Sequence, residues 1–137
     1  MRTLRYVSLI AASLICGVGA QDLQKPALKQ GVSVAMPVAG HAVEMRAADE
    51  PNATIVAVTA DGKVFVGIKA TEPAALGNLR EATVYVKADS RVPYQRVLTV
   101  LDALRGKSVV LLTEPPENHP VRQGIVPPYG MKLIVSR

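Results

Sequence analysis

Residues 54–68 read TIVAVTADGKVFVGI, and this stretch decides the fold. Two runs rich in β-branched side chains, residues 54–60 and 63–68, flank the dipeptide Asp61-Gly62. Such side chains favour strands, and a two-residue hairpin turn needs positive φ angles, which Asp and Gly tolerate best. The stretch therefore predicts a β-hairpin with Asp61 and Gly62 at its tip.

The first strand of this hairpin carries apolar side chains on both faces. Because side chains alternate along a strand, Val56 and Val58 share one face, and Ile55 and Ala57 share the other. We expect one face to lie on the core and the opposite face to be only partly covered.

Four further segments have the composition of strands. Residues 82–87 (ATVYVK) and 31–36 (GVSVAM) alternate apolar with small or polar side chains, and the latter segment stops at Pro37. Residues 108–113 (SVVLLT) and 131–136 (MKLIVS) are short apolar runs typical of buried strands. We interpret residues 39–52 as irregular and residues 114–130 as a proline-rich loop.

Two segments predict helices. Residues 71–76 (TEPAAL) begin a short one, with Thr71 placed to cap it and Pro73 in the first turn, where its missing N–H does no harm. The second helix follows a turn at residues 88–90 and ends at Gly106. Its apolar side chains recur at helical spacing and form one stripe: Tyr94, Val97, Leu98, Leu101 and Leu104.

The order of these elements is strand, hairpin, short helix, strand, helix, strand, loop and strand. Helices that bridge strands in a strand-rich chain favour an α+β fold. The sequence predicts a single mixed β-sheet of about five strands with both helices packed on one face.

The first twenty residues have the three parts of a secretory signal peptide. Arg2 and Arg5 precede an uncharged apolar stretch, and small side chains at Val18 and Ala20 lead up to Gln21. We predict cleavage between Ala20 and Gln21. The alternative is a short N-terminal membrane anchor that is not cleaved, since the stretch could span a bilayer only with mismatch.

Either reading exports the remainder of the chain. Residues 21–30 (QDLQKPALKQ) are polar, contain a proline and are predicted to be a linker. Residues 31–137 then form one domain, which we place in the periplasm, either free or held at the inner membrane. The single cysteine, Cys16, lies in the leader, so the exported domain has no thiol for a disulfide.

Charge and composition exclude several classes of function. The formal charge is +5 for the whole chain, and +3 once Arg2 and Arg5 leave with the leader. The remaining positive charges are dispersed and aromatic residues make up only 4% of the chain, which argues against nucleic-acid binding. Attraction to an anionic cell-wall polymer or membrane stays open.

Candidate catalytic and metal-binding residues are few. His41 and His119 lie in loop-like surroundings, and the paired acids Glu114 and Glu117 flank two prolines, as solvated turn formers do. We therefore predict no enzyme activity, no metal site and no cofactor. Asp89 is interpreted first as a cap or turn former and second as a partner contact, and Tyr94 first as a core residue of its helix.

Taken together, several of these segments resemble one known family. Their order is QGVSVAMP at residues 30–37, TADGKVFV at residues 59–66, KADS at residues 87–90 with Tyr94 and Val97, and VVLLT at residues 109–113. This order and spacing resemble the periplasmic domain of the ExbD/TolR family. The signature positions are Gly31, Pro37, Asp61, Gly62, Asp89 and Tyr94.

The resemblance implies a five-stranded sheet with two helices on one face, in a homodimeric accessory subunit of a proton-driven motor. It implies as partners a TonB- or TolA-like transducer or an ExbB- or TolQ-like motor subunit, and for some members peptidoglycan. Family members carry a proton-binding Asp in a transmembrane helix, whereas residues 6–20 contain no carboxylate. We therefore hypothesise a partner-binding module that does not perform the proton step; the alternative is a structural cell-envelope protein that binds peptidoglycan.

Overall fold

The computed structural model of this chain describes residues 31–120, 124 and 126–134. The predicted leader, its cleavage residues Val18, Ala20 and Gln21, and the predicted linker at residues 21–30 lie outside the described residues. No described helix is long and apolar enough to cross a membrane.

The described chain contains seven strands, one α-helix and two 3₁₀ helices. The strands are β1 (Val43–Glu44), β2 (Ile55–Val58), β3 (Val64–Val66), β4 (Lys69–Ala70), β5 (Thr83–Ala88), β6 (Ser108–Thr113) and β7 (Tyr129–Leu133). The α-helix, α1, spans Tyr94–Ala103, and the 3₁₀ helices span Arg46–Asp49 and Pro73–Asn78.

All seven strands belong to one mixed sheet in the order β1-β7-β6-β5-β2-β3-β4. The central strands β2, β5 and β6 are parallel, and the other pairs are antiparallel. The carboxyl ends of the three parallel strands therefore lie side by side along one side of the sheet, which we name the carboxyl edge. It differs from the outer edges that β1 and β4 form. The predicted α+β class with a mixed sheet is confirmed.

The predicted number of about five strands is wrong, because the sheet has seven. The two unforeseen strands, β1 and β4, are two residues long and lie at the two edges of the sheet. Two residues are too few to show any periodicity in a sequence. Residues 31–36, in contrast, form no strand, and their neighbour Val38 makes only an isolated bridge with Glu114.

The predicted hairpin is confirmed, with a different turn. Strands β2 and β3 pair antiparallel, and the N–H of Thr59 donates to the carbonyl oxygen of Lys63 at 2.9 Å, which leaves a connection of three residues. Gly62 has a φ of +83°, and no described residue other than glycine has a positive φ. Asp61 therefore does not take the left-handed conformation that a two-residue turn would require.

The two predicted helices differ from expectation at their starts. The short one is a 3₁₀ helix that begins at Pro73, and the hydroxyl of Thr71 donates to the carbonyl oxygen of Lys69 rather than capping it. Helix α1 begins after Pro93, and no described side chain caps its first turn. A proline lies at or next to each start, where its fixed φ suits the first turn and its missing N–H does no harm.

Two apolar clusters lie on the two faces of the sheet. The first joins Val56, Val58, Val84 and Val86 of the sheet to Leu76 of the second 3₁₀ helix and to Val100 and Leu104 of α1. The second contains Ala48, Ile55, Val110 and Leu112, with Met36 and Met45 packed against it. All four residues of β2 are at most 2% exposed, so the expectation of one partly covered face is wrong for this strand.

The buried stripe of α1 is rotated from the predicted one. Val100, which the prediction leaves out, and Leu104 are fully buried, whereas Leu98 is 39% exposed and Tyr94 is 75% exposed. Tyr94 is therefore not a core residue. The helix packs through the face that carries Val97, Val100 and Leu104, and it leaves an apolar side chain and an aromatic ring in solvent.

Candidate functional site

The loops that follow the three parallel strands hold three of the six signature residues. Asp89 follows β5, Glu114 follows β6, and the hairpin turn with Asp61 and Gly62 follows β2. In sheets with parallel strands, this edge is where ligands and partners most often bind. Tyr94 begins α1 shortly after the loop of Asp89, and Pro37 and Gly31 lie on a segment that is bonded to the loops after β5 and β6.

The carboxylate of Asp89 lies at the centre of the carboxyl edge. Asp89 is only 5% exposed. It accepts hydrogen bonds from the backbone N–H of Arg91 at 3.0 Å, from Nε and Nη2 of Arg91 at 2.9 and 3.0 Å, and from the backbone N–H of Ala35 at 3.1 Å. The guanidinium of Arg91 is itself 72% exposed. A buried carboxylate is thus neutralised by one fork-like cation and two backbone donors.

These contacts set the electrostatics of Asp89. The side-chain hydrogen bonds from Arg91, followed by the backbone N–H of Arg91, hold the pKa of the Asp89 carboxyl well below its ordinary value of 3.8, although burial acts in the opposite direction. Asp89 in turn raises the pKa of Arg91. Both groups are therefore charged under physiological conditions, and the pair is a fixed structural feature at neutral pH.

An extended segment, residues 31–38, lies across the carboxyl edge, and we name it the strap. The carbonyl oxygen of Ala35 accepts the N–H of Ser90 at 2.8 Å, and that of Pro37 accepts the N–H of Glu114 at 2.9 Å. Val32, Val34 and Met36 are half-buried, whereas the side chains between them are exposed. The strap thus has the alternation of a strand without a strand's ladder, which explains why the sequence predicted one here.

The start of the strap contacts Lys87. Gly31 has a φ of +92°, and a Cβ placed on it would lie 3.2 Å from the carbonyl oxygen of Gly67 and 3.5 Å from Nζ of Lys87. Lys87 is only 4% exposed, and burial lowers the pKa of its amine. Only glycine fits at Gly31 without strain, because the left-handed backbone and the close oxygen both exclude a side chain.

The hairpin turn is tied to α1. Nε of Arg96 donates to the carbonyl oxygen of Gly62 at 2.6 Å. Within the turn, the hydroxyl of Thr59 donates to the carboxylate of Asp61, and this bond is the main cause that lowers the pKa of Asp61. Asp61 is exposed, and its carboxylate bonds to Thr59 within the turn, whereas the carbonyl oxygen of Gly62 bonds to Arg96 of the helix.

A second surface lies between α1 and the end of β7. A groove of about 690 Å³ is lined by Gln95, Leu98, Thr99, Leu101, Asp102, Leu133 and Ile134. Ile134 is 97% exposed, and Tyr94 lies one helical turn before Leu98. Exposed apolar side chains that cluster in this way are typical of protein interaction surfaces.

The outer edge of β7 adjoins this groove. Strand β1 pairs only with Tyr129 and Gly130, so no described strand covers the outer edge at Met131–Leu133. An uncovered edge presents backbone donors and acceptors to an added strand. The groove and the open edge together form a surface that fits an extended peptide.

Nothing in the described part of the chain resembles a metal centre. No group of three or more His, Cys, Asp or Glu side chains converges there. His41 is exposed, and the ring of His119 packs edge-on against Tyr129 while its Nδ1 hydrogen-bonds the carbonyl oxygen of Pro116. Both histidines therefore have surroundings that structural residues commonly have.

Sequence reasoning missed three of the residues that build these contacts. The sequence places Lys87 in a predicted strand and in the KADS segment, and it shows Arg91 and Arg96 only as part of the dispersed positive charge; it predicts none of their contacts. The position of Arg91, two residues after an Asp at a strand end, was the one available signal, since Asp side chains commonly bond the backbone two residues on. The partners of Arg96 and Lys87 are far away in sequence, and no local pattern indicates them.

The described residues form a small α+β domain around one mixed sheet. The family whose description reads biopolymer transport protein ExbD/TolR matches residues 20–115. The chain therefore belongs to the ExbD/TolR family, and the predicted resemblance is confirmed. No curated protein matches the chain.

Membership suggests a class of function. Members of the family are accessory proteins of biopolymer transport rather than enzymes, and they work with ExbB/TolQ and TonB/TolA partners. They are membrane-anchored proteins with a periplasmic domain. The matched range includes all six signature positions.

Proposed function

We propose that this chain is an accessory protein of an energy-transducing transport system in the cell envelope, and that residues 31–137 form a periplasmic module that binds a TonB- or TolA-like transducer. The family match carries the class of function. The observation that supports a binding role is the groove between α1 and β7, whose lining mixes apolar and polar side chains and which adjoins an edge of β7 that no described strand pairs with.

The groove suits an extended segment of the transducer. Such a segment would pair with Met131–Leu133 and place every second side chain against Leu98 and Leu101. Main-chain hydrogen bonds supply affinity in this mode of binding, and the apolar pocket selects the side chains.

The proposed role excludes the proton step. Residues 6–20 contain neither Asp nor Glu, so this part of the chain offers no group that could take up and release a proton within lipid. An ExbB- or TolQ-like motor subunit with another family member would supply that step. Whether residues 1–20 are cleaved before Gln21 or remain as an anchor, the module acts in the periplasm, and we propose that it does so as a homodimer.

The binding proposal is tested with the purified periplasmic segment of the transducer from the same cell, titrated against the exported chain. Leu98→Glu places a charge in the groove and should weaken binding at least about tenfold, because a desolvated charge without a partner is costly. Ile68→Glu is the matched control, since Ile68 is 83% exposed in the turn before the opposite edge strand β4. Equal affinities of the two variants would contradict the proposal.

The alternative is a structural protein that holds peptidoglycan through its dispersed charge of +3. The two functions differ in their response to salt. Retention on purified wall sacculi that disappears as salt is raised would favour the alternative. Capture of the transducer segment that persists in the same salt would favour the accessory role.

Two experiments address the remaining parts of the proposal. N-terminal sequencing of the mature protein should find a start at Gln21, and an intact Met1 would show an uncleaved anchor. A strain that carries only this family member should lack proton-driven uptake. Normal uptake in that strain would refute the assignment of the proton step to another subunit.

A further inference from the structure

The strap is attached to the domain by few contacts. Among the described residues, its backbone is bonded to the domain by the N–H of Ala35 on Asp89, the N–H of Ser90 on Ala35, and the N–H of Glu114 on Pro37. The central strands β5 and β6, in contrast, pair over four or five residues on each side. Segments with few ladder bonds open locally at a lower free energy than the core does.

One side chain links the strap to the rest of the molecule. The carboxylate of Asp89 bonds Ala35 of the strap with one oxygen and the backbone N–H of Arg91 with the other. The backbone N–H of Asp89 donates to Val58 at the end of β2, and its carbonyl oxygen accepts the N–H of Val92 at 3.0 Å. Asp89 itself is thus held by the sheet and by the loop before α1, whatever the strap does.

The strap covers part of the sheet. Met36 packs against the cluster of Ala48, Ile55, Val110 and Leu112, and Gly31 lies against the amine of Lys87. The cluster keeps Met45, Ala53 and Tyr85 as further neighbours. Removal of the strap would therefore uncover Lys87 and one apolar slot, and it would leave the two main layers of the domain in contact.

We propose that the strap is a detachable element latched by Asp89, and that its release exposes Lys87 and the slot of Met36 while the sheet and α1 stay folded. The inference is independent of the transducer proposal, because it concerns the opposite face of the sheet from α1. Its consequence is conformational: tension or binding that acts on the chain before Gly31 is transmitted along the strap, which meets the domain at Gly31 beside Lys87 and is then held by the Ala35–Asp89 bond.

Native-state hydrogen exchange of the full exported chain tests this in the wild type. At low urea, the amide of Ala35 should exchange through a local opening at least about tenfold faster than the amides of Val56 and Val110 in the core. Exchange of all three amides at one common rate, across all urea concentrations, would show that the strap opens only with global unfolding and would overturn the proposal.

Two variants identify the latch. Asp89→Asn removes the charge, and Gly31→Ala strains the other end of the strap without touching Asp89. Each should lower the free energy of strap opening, so exchange at Ala35 and the acetylation of Lys87 by acetic anhydride should rise several-fold. The core amides exchange through global unfolding, in which the same contacts are lost, and they should speed up by no more than the same factor. Asp102→Asn, which removes an exposed ion pair with Arg105 on α1, is the matched control and should leave both readouts as in the wild type.

The outcomes are distinguishable. Faster exchange at the core with exchange at Ala35 unchanged would mean that Asp89 stabilises contacts that persist when the strap opens, and the latch would be refuted. If Asp89→Asn does not fold, Gly31→Ala and the wild-type urea series still decide the question. Transducer binding should persist in Asp89→Asn and Gly31→Ala, whose residues lie outside the groove, so a failure of this inference leaves the proposed function unaffected.

Discussion

Arg96 of α1 donates its Nε–H to the carbonyl oxygen of Gly62 at 2.6 Å, which joins the helix to a hairpin turn 34 residues earlier. Gly62 has a φ of +83°, and a Cβ there would lie 3.6 Å from Arg96. The turn therefore brings its carbonyl oxygen to the helix, and the guanidinium holds the β2–β3 hairpin against the start of α1. Two signature positions, Gly62 in the hairpin turn and Tyr94 in α1, therefore lie on elements that are bonded to each other.

Removal of this contact should destabilise the domain. We expect Arg96→Ala to lower the free energy of unfolding by about 1 to 2 kcal/mol, since a bond from a charged donor to a half-buried carbonyl oxygen is lost. Urea denaturation followed by circular dichroism measures the change. Arg80→Ala removes an exposed arginine and should shift stability by less than about 0.5 kcal/mol. A similar loss in both variants would show that the bond to Gly62 is unimportant.

The rotated face of α1 makes a second prediction. Leu104→Ala should cost about 2 to 5 kcal/mol, because a fully buried side chain leaves a cavity. Tyr94→Ala should cost less than about 0.5 kcal/mol, because the ring is 75% exposed. The same urea titration checks both variants. A large loss for Tyr94→Ala would restore the stripe that the sequence predicted.

The close approach of β7 to β6 makes a third prediction. A Cβ on Gly130 would lie 2.7 Å from the carbonyl oxygen of Leu111, which is backbone and cannot rotate away. We expect Gly130→Ala to cost about 1 to 3 kcal/mol, as overpacking of a closed site does. Gly40→Ala is the control, since a Cβ there meets nothing within 4 Å. Equal thermal midpoints of the two variants would contradict this account.

The elements that were predictable have a local cause. The β2–β3 hairpin, β5, β6 and α1 all follow from side-chain composition, period and turn residues within about ten positions. The predicted strand at residues 108–113 coincides with β6. Strands β1 and β4 have two residues each, and only their neighbours β7 and β3 make them strands.

The errors share another cause, which is contact over long sequence distances. Residues 31–36 alternate as a strand does, but their backbone meets the side chain of Asp89 instead of a neighbouring strand. The sequence predicts one stripe on α1 that includes Tyr94, whereas packing against Leu76 and the sheet buries Val100 and leaves Tyr94 exposed. The candidate site was half foreseen: Asp89 and Gly62 were named, but Arg91 and Arg96 were not.

The ion pair of Asp89 makes the last prediction, which concerns pH. Because the pKa of Asp89 in the folded chain lies well below its ordinary value of 3.8, the folded state holds this proton less tightly than the unfolded state does. Asp89 therefore stabilises the fold above about pH 4, and this contribution is lost as pH falls further towards the pKa of the folded state. The difference in urea midpoint between wild type and Asp89→Asn should be constant from about pH 7 to pH 5 and should shrink towards about pH 2.

The variant Arg91→Gln distinguishes the contribution of the Asp89–Arg91 ion pair to the pH dependence of stability from that of the other carboxylates. Those carboxylates titrate in every variant. The side-chain bonds of Arg91 are the largest cause of the depressed pKa of Asp89. The urea midpoint of Arg91→Gln should therefore fall much less between about pH 5 and pH 2 than that of the wild type. The backbone donors at Ala35 and residue 91 remain in this variant, and they continue to lower the pKa of Asp89 in part. A difference between wild type and Asp89→Asn that grows as pH falls would have the opposite sign, and it would mean that burial, rather than Arg91, dominates the surroundings of this carboxylate.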